Sequence, residues 1–130
     1  MKSWQARSWI AVSCVLAAGT WASAASAQDV ARGEQVFNTQ CKACHTLQRG
    51  GATTMGPNLY RIMGRRSGTG PGYGYSEVMR KFAIEWNDKT LAAYLRDPKG
   101  DMPGTKKIFA GIKQPGQMAD VIAYLKEATK

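Results

Sequence analysis

Along this chain apolar side chains recur at helical spacing in three places, and no run alternates with period two for long enough to make a strand. Val30, Gly33, Val36 and Phe37 fall three to four residues apart behind Asp29, which can cap a first helix. Leu91, Ala92, Tyr94 and Leu95 share one side of a second helix, which begins near Asp88 and is expected to stop at Pro98. Met118, Val121, Ile122 and Leu125 follow i, i+3, i+4, i+7 and mark the buried face of a third. The intervening chain is rich in glycine and proline. Residues 49–75 read mostly as loop, with one short helix expected over 58–63, and residues 98–116 read as loop throughout. The predicted fold class is all-α, three main helices joined by long Gly-rich loops.

Loops of that length are uncommon in a small domain unless something holds them. A chain of 130 residues also has a limited core of its own. Both facts point to a large apolar cofactor serving as core. Cys41-Lys42-Ala43-Cys44-His45 supplies the chemistry to attach one, because C-x-x-C-H is the c-type haem pattern. Two thiols at i and i+3 can add to the two vinyl groups on one porphyrin edge, and the adjoining imidazole then reaches the iron. A redox dithiol would sit in a βαβ frame, which this pattern lacks. A structural zinc site needs four ligands, and His45 is the only histidine.

Residues 1–27 read differently from the rest. Lys2 and Arg7 form a positive start, Trp9 to Trp21 a largely apolar stretch, and Ala25-Ser26-Ala27 a small-residue cleavage pattern. That is the order of a secretory signal peptide. The apolar stretch is shorter than the roughly 20 residues of a membrane span. The expectation is a cleaved signal peptide over 1–27, one domain over 28–130, a periplasmic location and no stable membrane span after processing. Cys14 would leave with the signal peptide, so Cys41 and Cys44 would be the mature chain's only cysteines. The formal charge of the full chain is +9, two of it from Lys2 and Arg7. A positive balance points to acidic protein faces or anionic lipid head groups as partners. Nucleic acid is not expected outside the cytoplasm.

The stretches CKACHTL, GPNLYRIMGRRSG, GYGYS, IEW, LAAYLRDPK, PGTK-IFAGIK and ADVIAYLK carry a resemblance over nearly all of the chain from Gly33 onward. It resembles the class I cytochromes c, in the branch shared by mitochondrial cytochrome c and its soluble bacterial relatives. The resemblance implies one covalent haem c and a monomeric single-electron carrier rather than an enzyme. Cys41 and Cys44 would hold the haem, His45 would be the proximal ligand, and the Pro57 carbonyl would take the free ring N–H of His45. Arg65, Tyr75 and Trp86 would hold a buried propionate. Tyr94, Thr105 and Phe109 would line the haem pocket, with Tyr94 near the sixth position. Gly33 and Phe37 would cross Tyr124 and Leu125 where the first and last helices meet. Lys99, Lys106 and Lys113 would keep places in a lysine ring that meets acidic faces of redox partners, a ring thinned by Gln35, Gln40 and Thr54.

One position departs from the family. Where its members carry an iron-ligating methionine after P-G-T-K, this chain has Lys107. Four readings stay open: Lys107 as a neutral amine, Lys106, Met102, or water at an open site. An amine is a harder donor than a thioether, favours Fe(III) and lowers the reduction potential. An open or labile site would suit peroxidase-like chemistry or sensing of NO or CO, although the sequence offers no distal histidine or acid–base pair for peroxide cleavage.

Overall fold

The computed structural model describes residues 28–130 and contains five helices: α1 (Val30–Gln40), α2 (Glu77–Phe82), α3 (Asp88–Arg96), α4 (Pro98–Asp101) and α5 (Pro115–Ala128). The expected signal peptide lies outside the described residues. Among the described residues the only β pairing is an isolated bridge between Arg66 and Glu85, so the fold is all-α. No helix among them is long and apolar enough to cross a membrane.

Local chemistry starts each main helix. The Asp29 carboxylate accepts the Arg32 N–H at 3.0 Å and so satisfies one of the donors that the first turn of α1 leaves unpaired. Asn87 caps α3 by accepting the N–H groups of Lys89 and Thr90, and the Thr90 hydroxyl accepts the Asn87 N–H at 2.9 Å in return. Pro115 opens α5, where its missing N–H costs nothing.

The first and last helices cross at Gly33. A Cβ there would stand 2.0 Å from the Asp120 carbonyl oxygen and 2.8 Å from Tyr124 Cβ, so only glycine permits the approach. Phe37 and Tyr124 meet beside the crossing, ring centroids 5.7 Å apart. Buried Asp120 then ties the start of the chain to α5. Its carboxylate accepts the Asp29 N–H at 2.7 Å and Arg32 Nε at 3.0 Å. Val36, Phe37, Leu91, Tyr94, Leu95, Met118, Val121, Ile122 and Leu125 join one buried cluster with Leu47, Ile62, Met79, Trp86, Met102 and Ile112.

The segments between the helices differ from expectation in three places. The short helix expected over 58–63 is a pair of turns. Arg61 has φ +52°, Asn58 Oδ1 captures the Tyr60 N–H at 2.7 Å, and the Arg61 N–H leaves for the Thr129 carbonyl at 2.7 Å. A left-handed residue in mid-segment ends a right-handed helix. Helix α2 was not legible because it has only six residues and buries one side chain, Met79. Pro98 does follow the end of α3, but it also opens the single turn of α4, capped by Asp97 accepting from the Gly100 N–H at 3.1 Å. The loops also hold themselves. Buried Ser67 donates to the Met79 carbonyl at 3.0 Å and accepts the Ile84 N–H at 3.1 Å, joining residues far apart in the chain.

Candidate haem site

The end of α1 builds the attachment motif. Both Cys41 N–H and Lys42 N–H bond to the Phe37 carbonyl, and the N–H groups of Cys44 and His45 return to the Cys41 carbonyl at 3.0 Å. This turn sets two half-buried free thiols and an imidazole in succession. The Thr54 hydroxyl and the Gly56 N–H both bond to the Cys44 carbonyl, at 2.8 and 2.9 Å, and so bring the 54–57 strand of chain against the motif.

That contact decides the state of His45. Its Nδ1 lies 2.8 Å from the Pro57 carbonyl oxygen. A carbonyl only accepts, so Nδ1 carries the proton and donates, which leaves the Nε2 lone pair free for a metal. A Cβ on Gly56 would stand 2.5 Å from His45 Cε1, so this residue must be glycine for the ring to seat. Burial first, then the charge of Lys107, pushes the His45 pKa down to about 4, and the bond to Pro57 opposes them. The ring is therefore a neutral donor throughout the physiological range.

Facing Nε2 at 3.2 Å is Lys107 Nζ. The same amine lies 5.4 Å from the centre of the Phe109 ring. Burial lowers the Lys107 pKa, while the Cys41 and Cys44 thiols oppose that shift. Above it the Thr105 hydroxyl pairs with Tyr94 Oη at 3.0 Å and accepts the Lys107 N–H at 3.4 Å. Burial raises the Tyr94 pKa and Thr105 opposes, so Tyr94 stays a phenol. Lys106 Nζ instead donates to the Gly74 carbonyl at 2.9 Å, and Met102 is fully buried in the main cluster. Of the side chains considered for the sixth position, Lys107 is the one in contact with His45.

On the other side of the site, a Cβ at Gly70 would stand 2.2 Å from Tyr75 Oη and 3.4 Å from Arg65 Nη2, so the two polar tips converge there. The Arg65 guanidinium also donates to the Asn58 and Tyr60 carbonyls, each at 3.1 Å. Trp86 connects to Arg65 through the backbone, its N–H bonding to the Arg65 carbonyl at 2.9 Å, and its buried ring packs on Tyr94 with centroids 5.2 Å apart. Sequence reasoning missed Asn58, whose amide donates to Thr46 Oγ1 and the Gln48 carbonyl at 2.8 and 2.9 Å and organises the loop behind His45. The signal for it was an asparagine after proline, a residue pair that starts turns.

Among the described residues no group of three or more His, Cys, Asp and Glu converges as it would to hold a metal ion. The donors present fit haem c: nearby thiols free to form thioethers, an imidazole with one nitrogen committed to Pro57 and the other unprotonated and met only by the Lys107 amine, and glycine at the point where the chain crosses the ring. The class that fold and site define is an all-α protein with a covalently bound c-type haem.

The comparisons with known proteins agree. The sequence model of the cytochrome c family matches residues 30–129. Cytochrome c of Chlamydomonas reinhardtii is 50% identical over 105 residues, 81% of this chain and 94% of that protein. Cytochrome c of Sesamum indicum is 50% identical over 101 residues, 78% of this chain and 91% of its own length. That of Gibberella zeae is 43% identical over 102 residues, covering 78% and 96%. The chain belongs to the cytochrome c family. It is an electron-transfer protein rather than an enzyme, it carries one haem c attached through Cys41 and Cys44, and it works with redox partner proteins.

Proposed function

We propose that this carrier works in the periplasm with Lys107 as the sixth ligand and with a lowered reduction potential. The observation that supports the ligand is the 3.2 Å approach of Lys107 Nζ to His45 Nε2. A donor is already turned toward the nitrogen that a metal would use. Bound haem c supplies a one-electron iron couple. Around it, Pro57 fixes the imidazole tautomer and strengthens His45 as a donor. Lys107, deprotonated, would contribute a hard neutral nitrogen, which would favour Fe(III) where a methionine sulfur would favour Fe(II). Arg65 and Tyr75, converging at Gly70, offer donors to a propionate.

Residues 1–27 would direct export and be removed. Lys99, Lys106 and Lys113 would present positive charge to acidic faces of the electron donor and acceptor. Lys106 and Lys113 are exposed and spend their amines on the Gly74 and Arg96 carbonyls, which leaves their charge facing water.

The test is low-temperature EPR with near-infrared magnetic circular dichroism of the ferric protein at neutral pH, together with a redox titration. A low-spin histidine–amine signature and a potential below that of methionine-ligated relatives are expected. A high-spin signal, with fast carbon monoxide binding after reduction, would move the assignment to an open-site sensor or peroxidase. Sequencing the exported protein checks the location: the mature chain should begin at Gln28 in the periplasmic fraction.

A further inference from the structure

The domain is held at its start, before the first helix begins. The Asp29 N–H donates to the buried Asp120 carboxylate at 2.7 Å, and the Asp29 carboxylate caps α1. These bonds fix where the preceding residue stands. Gln28 is exposed, at the rim of a groove of about 240 Å³ between α3 and α5. Ala92, Ile112, Met118 and Ile122 give that groove an apolar lining.

A positive charge at this rim would be poorly placed. The first turn of α1 has no acidic residue and carries Arg32, and the positive end of the α1 dipole lies there too. Arg96 and Lys113 add their charges along the same groove. The nearby carboxylates are already engaged. Asp29 and Asp120 both pair with Arg32, at 3.6 and 3.0 Å, and Asp88, also on the rim, pairs with Lys126 at 2.9 Å.

Cleavage after Ala27 would create such a charge, because Gln28 would then carry the α-amine of the chain. The same residue has the means to remove it. An N-terminal glutamine holds a nucleophilic amine and an electrophilic carboxamide carbon at the spacing of a stable lactam ring. Gln28, exposed ahead of α1, has room to bring them together.

We propose that Gln28 is a modification site, closed after cleavage into a pyroglutamyl ring that seats at the rim of the α3–α5 groove. The inference rests on the cleavage reading above. The unprotonated α-amine nitrogen attacks Cδ of its own side chain. The N–Cδ bond forms, the Cδ–Nε2 bond breaks, and Nε2 leaves as ammonia with the proton that the amine gives up. No oxidant or reductant takes part. An α-amine has a pKa of about 7.7–8.0, so an unprotonated fraction exists at neutral pH. The product is a neutral lactam. It takes the terminal charge away from α1 and lays an uncharged ring on apolar side chains, where an ammonium group would hold water.

The test takes holoprotein from a fresh periplasmic extract, with Gln28→Asn beside it. Asparagine keeps the carboxamide, but its ring would be one atom smaller and too strained to close. The wild-type intact mass is expected to equal residues 28–130 with haem, less one ammonia. Edman degradation should fail until pyroglutamyl aminopeptidase removes the ring, and should then read Asp-Val-Ala-Arg. Gln28→Asn should show its full mass, a free amine and a melting temperature lower by roughly 2–6 °C, the shift that one unfavourable helix-end charge gives in a domain of this size.

A wild-type chain that begins at Gln28 with its mass complete and its amine free would overturn the lactam and leave the cleavage reading intact. A chain that begins at any other residue would overturn both. A lactam in the wild type, with Gln28→Asn melting at the same temperature, would overturn the seat on the groove.

Discussion

At Lys107 two surroundings act on one amine. Burial disfavours its charge, and the nearby thiols of Cys41 and Cys44 favour it. Once both thiols become thioethers they no longer ionise, and the influence that favours the charged amine is gone. Replacing the amine by the thioether of the wider family should therefore change the electronics without emptying the site. Lys107→Met is expected to raise the reduction potential by a few hundred millivolts, a large part of the roughly 0.8 V over which axial ligands tune haem. Spectroelectrochemical titration measures this, and an unchanged potential would remove Lys107 from the iron. Gly56 makes a separate demand. Gly56→Ala would place a methyl carbon 2.5 Å from His45 Cε1 and force the ring or the 54–57 chain to shift. A loss of about 1–3 kcal/mol is expected in denaturant melts, as for other overpacked sites.

Among the elements, the crossing of α1 and α5 carries the least tolerance. A methyl at Gly33 meets backbone, the Asp120 carbonyl at 2.0 Å, and backbone cannot rotate aside. Gly33→Ala should destabilise the fold by at least the ~1–3 kcal/mol of ordinary overpacking, despite the higher helix propensity of alanine. Asp120 gives the same crossing a pH dependence. Its pKa is lowered from 3.8, first by the Asp29 N–H and then by Arg32. The folded state therefore holds the proton less tightly than the unfolded chain does. The stability this contributes is present above pH 3.8 and is lost as pH falls through the lower folded value. Asp120→Asn should be less stable than wild type at neutral pH, and the two should approach each other in thermal melts carried below pH 3.8.

For the whole molecule the relevant quantity is charge. With 18 basic and 9 acidic side chains in the full chain, long-range attraction to acidic partners sets the encounter rate more than it sets affinity. Raising ionic strength from about 0.01 M to 0.1 M shortens the Debye length from roughly 30 Å to 10 Å, so electron exchange with an acidic partner should slow. Lys99→Glu and Lys113→Glu should flatten that salt dependence in stopped-flow traces while leaving the visible spectrum unchanged. A salt slope equal to wild type would place the docking face elsewhere.

The sequence by itself determined the three helices that present a continuous apolar face behind a local start signal, a capping side chain for α1 and α3 and Pro115 for α5, because these signals act within a few residues. It determined the haem for the same reason: the thiols and the imidazole are held on one turn by bonds that close locally. The two short helices have local caps, Ser76 and Asp97, but are too short to show an apolar period, while the self-held loop around Ser67 and the turns over 58–63 use partners 12 or more residues away, such as Met79, Ile84 and Thr129. The lysine that faces His45 lay further still from local reach. Lys106 and Lys107 differ little in chemistry and stand side by side in the chain. Which of them turns inward follows from where the buried Met102 and the close approach of Gly111 to the Arg96 carbonyl hold the two ends of residues 102–111, and those contacts exist only when the chain is folded.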